Sequence, residues 1–293
     1  MSIPTRISFL EATARKRVAG IVDPGTFREI LPPQARRVSP HLGLFDAPVS
    51  FDDGVVIGEA EIGGKTVFVF AQEGKFRGGS LGEVHSAKII GLLKRAVAKR
   101  PAAVLGLFDS GGVRLEEANA GEIGATEIIR AIFEAQAAGV PVIGLIGGSC
   151  GCFGGAGIIA SCCDVLIASE EGRLSVSGPE VIETVMGVEA FDSRDRALVW
   201  RTTGGKNRFL FRKVARLVDD HIPGFRDAIS GFLVPREAVS ASSLRAAQAR
   251  LQDRLDRFGK ETDALEIWKK MGLDAARVPE MSAGELTAAA NKL

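Results

Sequence analysis

The sequence predicts an α/β protein built on a largely parallel sheet. Two apolar runs, AAVLGLF and VPVIGLIG, each end in a glycine turn and then pass into a helical stretch. VVIGEAEI and KTVFVFAQ flank Gly63 and Gly64, the dipeptide of a tight hairpin turn. At 293 residues the chain is long enough to bury one large core, so neither disulfides nor metals are required to hold it.

Residues 1 to about 40 mix short helical signals with turn punctuation at Asp23, Pro24 and Gly25, and end at Pro32 and Pro33 as an N-terminal arm. Strand patterning begins after Asp53 with the hairpin. KFRGGSLGEV then reads as a glycine loop feeding a helix, with Val84, Ala87, Ile90, Leu93 and Val97 as its apolar face. AAVLGLF is a buried strand running into DSGG, and a second helix spans Thr126 to Ala138 before Gly139 and Pro141 stop it. VPVIGLIG leads to a glycine loop, a short helix and the buried strand DVLIAS. Beyond Val234 strand signals fade, and Leu244, Leu251, Leu255 and Phe258 share one face of a charged helix. That helix either packs on its own domain or serves as a partner-binding arm. The expected division is a domain over 1–235, including the arm, and a helical extension over 236–293.

The 37 basic and 36 acidic residues nearly cancel, which argues against a nucleic-acid scaffold or a membrane-surface protein. Cys150, Cys152, Cys162 and Cys163 all lie in one apolar, glycine-rich stretch, as reduced thiols of a cytosolic protein would. The N-terminus shows no apolar core of signal-peptide length. Val140 to Cys163 is uncharged, but each of its clustered glycines would weaken a spanning helix by about 1 kcal/mol. The stretch reads better as strand, loop, helix and strand.

Three motifs compete within it. Gly147, Ser149 and Gly151 satisfy a nucleophile elbow, and Asp192 and His221 follow in hydrolase order. Gly155, Gly157 and Ala160, with Glu170 beyond, fit a dinucleotide fingerprint, although the helix between is too short for a crossover. The cysteine spacing lacks the paired zinc form, and no metal is expected. The third arrangement pairs DSGG (Asp109 to Gly112) with CFGGAG (Cys152 to Gly157), each between a strand and a helix start. Such turns expose backbone amides, and two of them converging on one oxygen would stabilise an enolate. Spacing alone points rather to simple tight turns, as in a non-catalytic scaffold.

DDGVVIGEAEIGGKTVFVFAQEGKFRGGSLGEVHSAKI, DSGGVRLEE, CFGGAG and SGPEVIETVMG, in that order, resemble the carboxyltransferase family of the crotonase-like superfamily. The resemblance runs over roughly residues 10 to 240 and takes in the opening RKRVAGIVDPGTFRE. It implies a crotonase-like spiral of repeated ββα units, with helical N- and C-terminal extensions around it here. It also implies loss of carbon dioxide from a malonyl thioester through an oxyanion-stabilised enolate, or transfer of the carboxyl group to biotin. Gly111, Gly112, Gly154 and Gly155 would hold the enolate oxygen. Arg77, Gly78, Gly79 and Ser80 would lie along the thioester arm, and His85 would supply or order a proton. Lys206, Arg208, Arg212 and Lys213 form a basic run that meets phosphates or an acidic carrier, or is a solvated face. No cofactor is expected on the chain itself, since the substrate would ride on the CoA-like prosthetic group of an acyl carrier protein. Family members usually carry two such domains and this chain has room for one. The implied partners are therefore a chain with the second carboxyltransferase domain, the carrier protein and a transferase subunit, with no nucleic acid or membrane.

Overall fold

The computed structural model describes residues 7–46, 50–235 and 239–292. Its centre is a seven-stranded sheet whose spatial order is the order of the chain. Helix α1 (Ala14–Ile21) precedes β1 (Arg28–Ile30), and β1, β2 (Val55–Ile62) and β3 (Lys65–Gln72) pair antiparallel. From β3 onward neighbouring strands are parallel. Helix α2 (Glu83–Lys99) leads to β4 (Ala103–Phe108), α3 (Ala120–Ala137) to β5 (Val142–Ile146), and α4 (Gly154–Ser161) to β6 (Val165–Ser169). Helices α5 (Pro179–Met186), α6 (Arg196–Thr203) and α7 (Gly205–Leu210) precede the edge strand β7 (Arg216–Val218). Then come α8 (Ile222–Ser230), α9 (Ala241–Phe258), α10 (Ala264–Lys270) and α11 (Ala283–Ala290).

Alternation along the strands builds two cores. Val55, Ile57, Phe68 and Phe70 pack with Ile89, Leu92 and Leu93 of α2, Ile128 and Ile132 of α3, and Ile159 of α4. Val56, Val67 and Val69 pack on the other face with Val18 and Ile21 of α1 and Ile222, Phe225 and Ile229 of α8. Each such fully buried side chain contributes on the order of 2 kcal/mol. The two ends of this domain are tied together: Asp220 accepts from the Leu10 amide at 2.9 Å, and Arg226 Nη1 donates to the Val22 carbonyl at 2.6 Å.

The hairpin, the buried strands and the short α4 match the sequence reading, and so does the spiral, with one qualification. The second strand of each later unit is reduced to single-residue bridges, Leu81 to Val113, Ser110 to Cys152 and Cys152 to Leu174. Among the described residues no helix is long and apolar enough to cross a membrane.

Three expectations need correction. The buried face of α2 carries His85 and Lys88 beside Ile89, Leu92 and Leu93, while Ala87 is exposed, because two buried polar side chains hide the stripe from a hydrophobicity count. Helix α3 begins at Ala120, not Thr126, because Gly121 and Gly124 are close-approach positions: a Cβ on Gly121 would lie 2.8 Å from the Leu81 carbonyl oxygen. Helix α9 does not pack its stripe on its own domain. Leu244, Leu251 and Leu255 are 60%, 51% and 62% exposed, and only Phe258 is buried.

The C-terminal helices share a small core with the main domain, in which Trp268 packs with Leu210, Leu217 and Val278 and donates from Nε1 to Asn207 Oδ1 at 3.1 Å. The stretch 236–238, where the expected division of the chain falls, lies outside the described residues, as do residues 1–6 of the arm.

Candidate active site

Two strand ends build the site. The chain leaves β4 into Asp109–Gly112, and the loop carrying Arg77, Gly78, Gly79 and Ser80 lies along it. Gly111 donates its amide to the Gly78 carbonyl at 2.9 Å, and Leu81 donates to the Gly112 carbonyl at 2.9 Å. Gly79 has φ +65°, and a Cβ there would strike the Asp109 carbonyl oxygen. Ser80 Oγ donates to the Arg77 carbonyl at 2.7 Å, and Arg77 pairs with Glu116 at 2.6 Å and reaches Ser50 Oγ at 3.0 Å.

The chain leaves β5 into the second turn, which the first grips: Ser110 donates its amide to the Gly151 carbonyl at 2.8 Å and accepts at its own carbonyl from Phe153 at 2.9 Å. Gly112 (φ +136°) and Gly154 (φ +56°) then face each other. The Gly111 amide is occupied by Gly78, the Gly112 amide reaches Ser110 Oγ at 3.2 Å, and the Gly154 amide donates to the Val176 carbonyl at 2.8 Å. The amides of Val113 and Gly155 have no acceptor among the described residues. Gly155 stands in the first turn of α4, where helix geometry supplies none. These two residues touch, since a Cβ on Gly155 would lie 3.1 Å from Val113 Cγ1. Gly78 and Gly111 are exposed and Gly154 and Gly155 half-buried, so the amides border an open face.

Asp109 opens the first turn with a buried carboxylate. It accepts from the Cys150 amide at 2.7 Å and from Arg17 Nη1 at 2.8 Å. Its own amide donates to Gln72 Oε1 at 3.3 Å, Gln72 Nε2 lies 3.3 Å from His85 Nε2, and His85 Nδ1 lies 3.1 Å from the Asp53 carbonyl oxygen. A carbonyl only accepts, so Nδ1 carries the imidazole proton and Nε2 accepts from Gln72. Burial, with the cations of Arg114 and Lys88 nearby, pushes the His85 pKa down to about 3. His85 therefore meets the first turn as a neutral ring, through Gln72. Sequence reasoning placed it in the site but did not find Gln72, Arg17, Val113 or the Asp109 carboxylate. A glutamine closing an otherwise apolar strand was the one visible signal.

The competing motifs do not assemble. Ser149 is exposed and its carbonyl accepts from Arg173, His221 Nδ1 accepts from the Gly224 amide at the start of α8, and Asp192 pairs with Arg194; no hydrogen bond joins Ser149, Asp192 and His221. Glu170 pairs with Lys206 at 3.6 Å, and a Cβ on Gly157 would overlap the Ser175 carbonyl oxygen, so the fingerprint glycine is a packing position. Burial pushes the thiols of Cys150 and Cys152 up, away from thiolate character. The basic run is in part a solvated face, with Arg212 and Lys213 exposed, and three of its members are tied to the chain's own carbonyls. Arg208 Nε donates to the Leu174 carbonyl at 2.8 Å, Lys206 to Pro279 at 2.6 Å and Lys213 to Ser161 at 3.3 Å. A groove of about 620 Å³ between α6 and the C-terminal helices, lined by Trp200 and Trp268, touches neither glycine turn.

A sequential, mainly parallel sheet with two interlocked glycine turns presenting free amides defines a crotonase-like domain. The chain belongs to the carboxyl transferase domain family, whose model matches residues 11–200. It is 41% identical over 285 residues to the malonyl-S-ACP:biotin-protein carboxyltransferase MADC of Malonomonas rubra, covering 90% of this chain and 89% of that protein. It is 36% identical over 210 residues to the propionyl-CoA carboxylase carboxyltransferase subunit of Haloferax mediterranei, of which it spans 40%. A chain of the Pseudomonas malonate decarboxylase hetero-tetramer, crystallised with malonate, superposes with a TM-score of 0.80 at 36% identity, over 91% of this chain and 98% of that one. A chain of the Pseudomonas malonate decarboxylase MdcD–MdcE hetero-dimer gives a TM-score of 0.67 at 33% identity, over 89% of this chain and 100% of that one.

Proposed function

We propose that this chain is the β subunit of a malonate decarboxylase and acts on a malonyl thioester carried by an acyl carrier protein. What carries the reading is the near end-to-end correspondence with a chain of the Pseudomonas malonate decarboxylase, at 98% of its length. The C–C bond to the carboxylate breaks, carbon dioxide leaves, and the electron pair passes to the thioester oxygen as an enolate. Gly111, Gly112, Gly154 and Gly155 shape the two turns, and the amides of Val113 and Gly155 donate to that oxygen. Donors fixed before reaction cost no reorganisation when the charge forms, and each is worth about 3 kcal/mol of barrier. Protonation at the α-carbon by water completes the acetyl thioester. Arg77, Gly78, Gly79 and Ser80 flank the path of the CoA-like arm. His85 acts as a neutral positioning group through Gln72.

The open face beside the amides is completed by a partner bearing the second carboxyltransferase domain, the γ subunit, with the carrier protein and the α transferase subunit in the same assembly. Relatives crystallised as a hetero-tetramer and a hetero-dimer support this. Four free cysteines, none in a disulfide, suit the cytoplasm.

A second reading has its own observation: the Malonomonas relative, at 41% identity, passes a carboxyl group to a biotin protein. Carbon dioxide release from a malonyl thioester by the chain co-purified with its partners, with and without avidin, separates the two. Avidin-insensitive release supports direct decarboxylation, avidin-sensitive release assigns the carboxyl group to biotin, and no release defeats both.

A further inference from the structure

The two glycine turns leave different strands, so something must fix one against the other if two amides are to meet one oxygen. Besides the two backbone bonds at Ser110, a buried carboxylate spans them. Asp109, in the first turn, accepts from the Cys150 amide of the second at 2.7 Å. It also accepts from Arg17 Nη1 at 2.8 Å. Arg17 is fixed in turn, donating from Nε to the Phe9 carbonyl at 2.7 Å and from Nη2 to the Leu10 carbonyl at 3.0 Å, with its guanidinium over the Phe9 ring. Both side chains of the pair are 2% exposed. The surrounding backbone is bare where the carboxylate lies: a Cβ on Gly148 would overlap it, and one on Gly74 would come within 2.6 Å of its Cγ.

We propose that the Arg17–Asp109 pair is the positioning device of the site, setting the separation of the two turns, and so of the Val113 and Gly155 amides, from outside the reacting space. The inference rests on the decarboxylase reading. A buried ion pair is a poor stabiliser compared with apolar side chains of the same volume, because desolvation offsets the attraction. A charged, hydrogen-bonded carboxylate does fix direction as well as distance, which an apolar contact does not. The pair is thus better suited to geometry than to stability, and at this burial neither member reaches a substrate.

Arg17→Met, Asp109→Asn and the double variant, each purified with its natural partners, test this. Either single change strands a buried group and lowers both Tm and activity. The double variant is expected to regain Tm, while kcat for carbon dioxide release stays at least about tenfold down and KM stays within about twofold of wild type. Recovery of kcat together with Tm overturns the proposal, as does wild-type kcat in either single variant. Amide hydrogen exchange supplies a readout independent of activity and of how far Tm recovers. In Arg17→Met, exchange over residues 147–153 is expected to rise with the interiors of β4 and β5 unchanged, and unaltered exchange there overturns the proposal. A wild-type complex that releases no carbon dioxide counts against the decarboxylase reading alone, and the exchange result then decides the role of the pair.

Discussion

A methyl group on Gly154 would stand 3.1 Å from the Cα of Gly112. Two backbones from separate strand ends therefore meet with no side chain between them, and both glycines have positive φ. Gly154→Ala and Gly112→Ala, in folded protein, are expected to lower kcat by on the order of a hundredfold, the cost of displacing one enolate donor. Gly91, exposed in mid-helix with nothing within 4 Å of its absent Cβ, provides the control. Gly91→Ala is expected to leave kcat unchanged and to stabilise by up to about 1 kcal/mol. Steady-state kinetics and thermal unfolding read both outcomes.

Ser149→Ala is expected to retain activity within about threefold of wild type, because no base is hydrogen-bonded to that hydroxyl in the way nucleophilic catalysis requires. Loss of essentially all turnover would restore the hydrolase reading.

His85 gives the protein an acid-sensitive element. Its folded-state pKa, about 3, lies below the ordinary 6.5, so the fold holds the ring neutral. The stability this represents is complete above pH 6.5 and is lost as pH falls from there toward 3, as the unfolded chain takes up a proton the folded one refuses. His85→Gln is expected to flatten the fall of Tm across that window. Equal slopes in the two proteins would show that His85 is not the group responsible.

Leu251→Asp on α9 is expected to change the stability of the isolated chain by less than about 0.5 kcal/mol, since that side chain is already in solvent. Trp268→Ala, by contrast, removes the largest member of the C-terminal core and is expected to cost about 3–5 kcal/mol, read as a lower denaturant midpoint.

Much of this architecture is legible in the sequence because burial on both faces of a parallel sheet leaves uninterrupted apolar strands, and glycine marks where the chain turns back. AAVLGLF and VPVIGLIG state their own positions, and Gly63 and Gly64 state the hairpin. The face of α2 was hidden because His85 and Lys88 are satisfied by partners from β2 and its approach, and such long-range bonds leave no local periodicity. The same holds for the donors. DSGG and CFGGAG locate the turns, but Gly111 loses its amide to Gly78, which shifts the free donor to Val113. Arg17 is not singled out by the sequence, since its partner Asp109 lies far along the chain and only the fold brings the two together.

The sheet order, with each strand beside the one just before it, bears on how the protein is made. As the chain leaves the ribosome, every strand finds its neighbour already present, so the sheet can grow by accretion without waiting for a distant segment. Closure is different. Helix α1 packs on α8, and Asp220 and Arg226 bind the amide of Leu10 and the carbonyl of Val22. Helix α1 can therefore settle on β2 and β3 early, but the part of its surface that meets α8 stays open until residues 220–230 emerge, which makes that seam the last apolar surface of the sheet's outer face to close.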